Sequence, residues 1–173
     1  MLNDAKRILG IDPGLQTTGI SVIETSGLKA YETLYCGCIE TIKEKKLEQR
    51  LVEIYSFVNE IISKYNPYCL AIEEIFFSSN AKTAINVGQA RGVVLLSACI
   101  NKIKVFEYTP LEVKQAIVGY GRATKDQIKY MVKALLKIND SKSPKKDDAW
   151  DSLAIAICHA NSSKFNEKIK KNM

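Results

Sequence analysis

Four acidic residues stand at positions where a carboxylate needs a partner. Asp12 ends the apolar run Arg7-Ile8-Leu9-Gly10-Ile11 and is followed by Pro13-Gly14, and Glu73 ends a second run, Tyr68-Cys69-Leu70-Ala71-Ile72. A charge at the mouth of a strand built for burial is costly unless something binds it. Asp148 and Asp151 are three apart, hence on one face of a helix that continues Ser152-Leu153-Ala154-Ile155-Ala156-Ile157. Asp147 lies about 100° round from Asp148 and is expected to be more exposed. Aspartates at a helix start have an ordinary electrostatic rationale, but it does not extend to Asp12 and Glu73. Four acids in an otherwise basic chain fit a cluster that would repel itself without a cation. Oxygen-only ligands favour Mg²⁺ or Mn²⁺ over zinc. Two such ions, about 4 Å apart, could activate a water and steady the leaving oxygen of a phosphodiester.

The elements that must carry these residues can be read from periodicity. Arg7 to Asp12, the Pro-Gly turn and Leu15 to Ile23 read as a strand, a tight turn and an antiparallel strand. Asp12 then shares a face with Ile8 and Gly10. Lys29 to Ile39 makes a third strand, Tyr68 to Glu73 a fourth and Lys104 to Tyr108 a fifth. The two most apolar strands are those ending in Asp12 and Glu73, which places them centrally, as neighbours. Glu74 points to the face opposite Glu73. Helical spacing is expected over Lys43 to Tyr65, whose mixed charges form a solvated face, and from Asn80 to about Asn101. Gly88 and Gly92 permit a close backbone approach there, within the chain in preference to across a dimer. Thr109-Pro110-Leu111-Glu112 caps a helix to Val118, Thr124 caps another to about Ile138, and the last covers roughly Asp147 to Ala160. Three strands followed by alternating helices and strands give a mixed α/β sheet with helices packed on it.

With 173 residues and 46% apolar content, the chain suits one domain with a full core. That domain is expected over residues 1–160, with 161–173 as a basic, frayed tail. No apolar run nears the roughly 20 residues of a membrane span, and no signal peptide is evident. Five cysteines without a CxxC pair point to reduced thiols in a cytoplasmic protein. Cys36 and Cys38 read as packing residues. The net charge of +6 suggests a polyanionic partner, and its distribution says more. Arg122, Lys125, Lys129, Lys133 and Lys137 face only Asp126, while Lys164, Lys168, Lys170 and Lys171 face only Glu167. Such basic flanks would hold a nucleic-acid backbone.

Five motifs in register resemble the bacterial RuvC Holliday-junction resolvases: Gly10-Ile11-Asp12-Pro13-Gly14 with Thr18-Gly19, Ala71-Ile72-Glu73-Glu74-Ile75-Phe76, Gly88-Gln89-Ala90-Arg91-Gly92, Val113-Lys114-Gln115, and Asp148-Ala149-Trp150-Asp151-Ser152-Leu153-Ala154-Ile155-Ala156. The match runs from about Arg7 to His159. It implies a ribonuclease-H-like fold, here a mixed five-stranded sheet with helices on both faces. It also implies a homodimer and a Mg²⁺-dependent endonuclease that nicks four-way junctions symmetrically. A branch-migration motor is a further partner in that setting. Carried over by motif, Asp12, Glu73, Asp148 and Asp151 bind the metal, with one or two ions per site. Phe76 meets unpaired bases, and Lys114 and Lys125 lie near the scissile phosphate. Arg122, in the basic segment, is taken as a further DNA contact. Glu74 departs from the Gln expected there, and Trp150 from a small residue.

Other residues invite weaker readings. Phe77 reads as packing, and Arg91 has no assignable role. His159 lies 11 residues beyond Asp148, roughly 16 Å along the helix, too far for one metal site. Two rival functions share part of the signal. Actin-like and sugar-kinase ATPases also open with a strand, an Asp and a Gly/Thr-rich hairpin, but they duplicate the fold over a longer chain. A non-catalytic DNA-binding module would keep the fold, though not a reason for the acidic set.

Overall fold

The alternation read along Arg7 to Asp12 becomes the central strand of the sheet. The protein is described by a computed structural model covering residues 5–26, 30–74 and 81–171. Strands β1 (Lys6–Asp12), β2 (Thr17–Thr25), β3 (Tyr31–Glu40), β4 (Cys69–Glu73) and β5 (Lys104–Tyr108) lie in the order β3-β2-β1-β4-β5. The first three pair antiparallel, whereas β4 runs parallel to both β1 and β5. The two parallel strands β1 and β4 sit inside the sheet, covered on both faces, as parallel pairing generally requires.

Because side chains alternate, the sheet splits its apolar residues between two cores. Ile8, Cys69 and Ala71 face a layer formed by α3 (Pro110–Val118), α4 (Lys125–Leu136) and α5 (Asp147–Lys171). Leu9, Ile11, Leu70 and Ile72 face α1 (Leu47–Tyr65) and α2 (Ala81–Ile100). Helices therefore cover both faces, as expected. On α5, Leu153 to Cys158 are all buried, so this helix is core nearly all round.

Two glycines let α5 lie directly on the hairpin. A Cβ at Gly10 would stand 2.8 Å from Ala156 Cβ and 2.9 Å from Ser21 Oγ, and would overlap the Ser152 carbonyl. One at Gly19 would overlap the Asp148 carbonyl and come within 3.1 Å of the Ala149 nitrogen. The start of α5 is thereby seated over the end of the first strand pair.

Several boundaries differ from the sequence expectation. Helix α1 starts at Leu47, not Lys43, because Lys46 occupies the N-cap and its N–H donates to the Gln49 side chain. Helix α4 stops at Leu136, where Lys137 adopts a left-handed φ of 52°. Helix α5 continues to Lys171, past Ala160, since no glycine or proline follows to break it. The membrane expectation also needs correcting. The window Thr83–Ile100 of α2, with mean hydropathy 1.3, is long and apolar enough to cross a bilayer by length and composition. Counting uninterrupted apolar runs misses it because Asn86, Gln89 and Arg91 punctuate the segment. Ala90, Val94 and Ala98 face the sheet, whereas Ile85, Leu96 and Ile100 are exposed. Gly92 shares the exposed side: a Cβ there would meet nothing within 4 Å, so this glycine serves no approach inside the chain.

Candidate active site

Parallel pairing of Gly10 with Ala71 and Ile11 with Ile72 brings the next residues, Asp12 and Glu73, out side by side at the same sheet edge. Asp12 is opposite Gly19 on the antiparallel side, the glycine over which α5 begins. The turn is closed by Thr18, whose hydroxyl donates to the Gly14 carbonyl at 2.6 Å and accepts from the Gly14 N–H at 3.3 Å. Asp148 and Asp151 then approach from the first turn of α5, with Asp148 half-buried and Asp147 exposed. Asp147 turns away to pair with Lys129 at 2.8 Å.

The electrostatics register this convergence. Asp12 is pushed up to about 7, first by burial and then by the charges of Asp151, Glu73 and Asp148. Glu73 is raised by burial and by Asp151, and Asp151 by burial against the opposing pull of Lys125. Perturbation of this kind marks functional carboxylates. Among the described residues, no three acidic, His or Cys side chains are already closed into a metal-ligand set. The four carboxylates instead hold excess negative charge in partial burial, with oxygen donors only. That donor set fits a hard divalent cation.

The basic residues divide. Lys125 Nζ lies 3.5 Å from Asp151, and that carboxylate is the main reason its own pKa is raised. Lys114, half-buried on α3, contributes to holding Glu73 down. Arg122 is exposed in the turn before α4 and makes no ion pair with the four carboxylates. Phe76 and Phe77 lie outside the described residues. Glu74 is exposed, and its N–H donates to the Tyr108 carbonyl, which fixes the exit from β4. Trp150 is buried in the helical layer and donates Nε1–H to the Pro144 carbonyl at 3.0 Å, anchoring the loop before α5.

Arg91 gains a structural setting. Its Nη2 pairs with Glu107 at 2.6 Å, and its Nε–H reaches the Glu73 carbonyl at 3.4 Å. Helix α2 is thus tied to the strand end that presents Glu73. His159 belongs elsewhere: it lies against Phe106, and its Nδ1 shares a hydrogen bond with the Tyr108 hydroxyl at 2.6 Å. Burial lowers His159 to about 4 and raises Tyr108 to about 12, so both partners of this bond are held neutral. All five cysteines are free, and burial raises Cys36 to about 12 and Cys38 to about 11, consistent with packing.

One group of residues was not singled out by the sequence. A cavity of about 640 Å³ is lined by Gln16 and Thr17 of the hairpin, Lys43 and Arg50 around the start of α1, Asn86 of α2, and Asp148. Periodicity assigned Lys43 and Arg50 to a solvated face. No local pattern shows that they meet the hairpin.

Comparison with known proteins returns relatives along nearly the whole chain. The family model for "Crossover junction endodeoxyribonuclease RuvC" matches residues 8–159. A protein of that name from Halothermothrix orenii is 51% identical over 161 residues, covering 93% of this chain and 96% of its own. One from Caldicellulosiruptor saccharolyticus is 50% identical over 157 residues, covering 91% and 93%. The structure of T. thermophilus RuvC in complex with Holliday junction substrate superposes with a TM-score of 0.87 at 31% identity, covering 93% of this chain and 96% of that one.

Proposed function

The chain belongs to the crossover junction endodeoxyribonuclease RuvC family, and we propose that Asp12, Glu73, Asp148 and Asp151 are its catalytic, metal-binding set. It is an endonuclease of the ribonuclease-H-like fold that resolves Holliday junctions in DNA recombination and repair. The family is metal-dependent, and for this chain Mg²⁺ is the cation proposed, with Mn²⁺ able to substitute. The observation that carries the assignment is the convergence of Asp12 with carboxylates from β4 and α5: burial first, and then the charges of Asp151, Glu73 and Asp148, push Asp12 up to about 7. When bound, the cation supplies Lewis acidity and neutralises charge on the phosphodiester.

The chain's own residues do the positioning. Asp12 and Glu73 are held by adjacent parallel strands, whose rigidity fixes their separation. Asp148 and Asp151 are held by a helix that cannot turn, because Leu153 to Cys158 are buried around it. Lys125, ion-paired to Asp151, and Lys114, near Glu73, are placed to receive the phosphate charge of the strand being cut. Phe76 is the residue proposed to meet bases at the junction centre, and Arg122 a more distant backbone contact. Residues 1–160 form one nuclease domain and 161–173 a basic extension.

A homodimer is proposed through α2. Ile85, Leu96 and Ile100 are 60%, 54% and 56% exposed. With Gly92 between them they make an apolar stripe at spacings of seven, four and four. Pairing this stripe with a second copy gives each of two active sites one strand to nick. The proposed setting is the cytoplasm, with a branch-migration motor as a further partner.

Asp12→Asn is the direct test, using synthetic four-way junctions with and without Mg²⁺. The variant is expected to bind junctions as wild type does and to lose nicking. It should also lose any rise in melting temperature caused by Mg²⁺. Wild-type protein that binds junctions yet never nicks them with either cation would overturn the assignment.

A further inference from the structure

Many surface cations of this protein are neutralised by a neighbouring carboxylate. Lys45 pairs with Glu53, Lys129 with Asp147, Lys133 with Asp140, Lys146 with Glu40, Arg7 with Glu24 and Arg91 with Glu107. Among the described residues, Lys43 and Arg50, like Lys114 and Arg122, are not so paired, and what sets them apart is the recess they line. Both line the cavity beside Asp148, and among the described residues neither has a carboxylate within ion-pair distance. Arg50 is held in place nonetheless. Its Nε–H donates to Thr41 Oγ1 at 2.7 Å, and that hydroxyl donates to the Leu15 carbonyl at 2.6 Å. The bond uses one guanidinium donor and ties α1 to the hairpin that carries Asp12. The remaining N–H groups of an arginine form a planar fork suited to phosphate oxygens.

We propose that this cavity is a phosphate subsite, separate from the lysines of α3 and α4, that grips the junction strand on the Asp148 flank of the cleavage centre. The inference rests on the nuclease reading above. Three features converge on a nucleic-acid phosphodiester as the ligand. Lys43 and Arg50 supply two uncompensated positive charges. Gln16, Thr17 and Asn86 supply neutral polar groups able to meet phosphate or sugar oxygens. The open recess, about 640 Å³, has room for a phosphate and its sugar. Placement completes the argument. Lys125 acts on Asp12, Glu73 and Asp151, and Lys114 on Glu73, whereas the cavity touches the acidic set through Asp148. A strand running from the cavity across the four carboxylates to Lys125 would be held on both sides of the bond that breaks. Holding both sides fixes which phosphate is presented, which purely electrostatic attraction from one flank does not.

The test is the salt dependence of binding to a labelled four-way junction, in chelator so that no cleavage occurs. Removing one phosphate-neutralising cation makes the slope of log affinity against log salt shallower by about 0.9 in duplex and about 0.7 in single strands. Lys43→Ala is expected to lower it by about that amount, and Arg50→Ala by a similar amount. Arg50→Lys, which keeps the charge, should recover most of the wild-type slope. Lys45→Ala, a neighbouring lysine already paired with Glu53, is the control and should leave the slope unchanged. A Lys43→Ala slope equal to those of wild type and Lys45→Ala would overturn the subsite while leaving the resolvase reading intact. Wild-type protein that fails to bind the junction would overturn both.

Discussion

Gly10→Ala is a sharp probe of how the site is assembled, because the added atom touches α5 rather than the carboxylates. Its Cβ would lie 2.8 Å from Ala156 Cβ. Unstrained carbon pairs sit about 3.5–4.0 Å apart, so the helix must retreat by roughly 0.7–1.2 Å. The retreat cannot be confined to Ala156, because the Ser152 carbonyl is overlapped as well and both belong to one rigid helix. Asp148 and Asp151 ride on that helix and move away from Asp12 and Glu73. Overpacking of this kind destabilises by about 1–3 kcal/mol, and a shift near 1 Å in a catalytic constellation can lower a rate about 10²-fold. The assay is single-turnover nicking of a four-way junction at saturating protein, alongside urea denaturation and binding in chelator. Expected are wild-type-like junction binding, reduced stability and a rate about two orders of magnitude lower. Gly92→Ala gives the opposite sign of stability change: nothing within the chain lies within 4 Å of its Cβ, and removing a mid-helix glycine should add about 0.5–1 kcal/mol to the protomer. A Gly10→Ala protein that is destabilised but nicks at the wild-type rate would refute the claim that the seating of α5 sets the site.

Two further outcomes follow from other parts of the fold. His159 is held near 4 in the folded protein, against 6.5 for an ordinary histidine. Protonation therefore favours the unfolded chain, and the histidine's contribution, complete above pH 6.5, is lost as pH falls towards 4. Relative to His159→Gln, wild type should lose up to about 3 kcal/mol across that window in urea denaturation, and a pH-independent difference would contradict the burial argument. Leu96→Glu places a charge at the centre of the exposed α2 stripe and should convert a dimer to monomer by sedimentation while leaving the melting profile of the protomer cooperative. An unchanged sedimentation coefficient would remove α2 from the interface.

Much of the candidate site was legible because its signals are local. Asp12 and Glu73 announce themselves as charges closing apolar strands, and strand alternation correctly separates Glu73 from Glu74. The three-residue spacing of Asp148 and Asp151 fixes their shared face, and Asp147 is exposed, as one helical step predicts. The capping box at Thr109 appears as read, with Glu112 accepting from the Thr109 N–H at 2.7 Å. What escaped depends on distant contacts. Lys43 and Arg50 look like any solvated cations until α1 is docked on the hairpin. The purpose of Gly92 could not be separated from that of other small residues in α2, since openness is a property of the assembled surface. The extent of α5 was missed for the opposite reason: the apolar run in the sequence ends near Ala160, but no glycine or proline follows to make the helix stop.

The burial of α5 has a consequence for when the enzyme becomes dangerous to DNA. Asp148 is 136 residues along the chain from Asp12, and it arrives only when the helix that completes the α3–α4 side of the core has docked. A partly synthesised or partly opened chain that pairs β1 with β4 holds only Asp12 and Glu73 of the four proposed metal-binding carboxylates. Subglobal opening of that one helix would separate the proposed set before the sheet is lost. On the proposed assignment, the apolar contacts that seat α5 are therefore also what completes the acidic set.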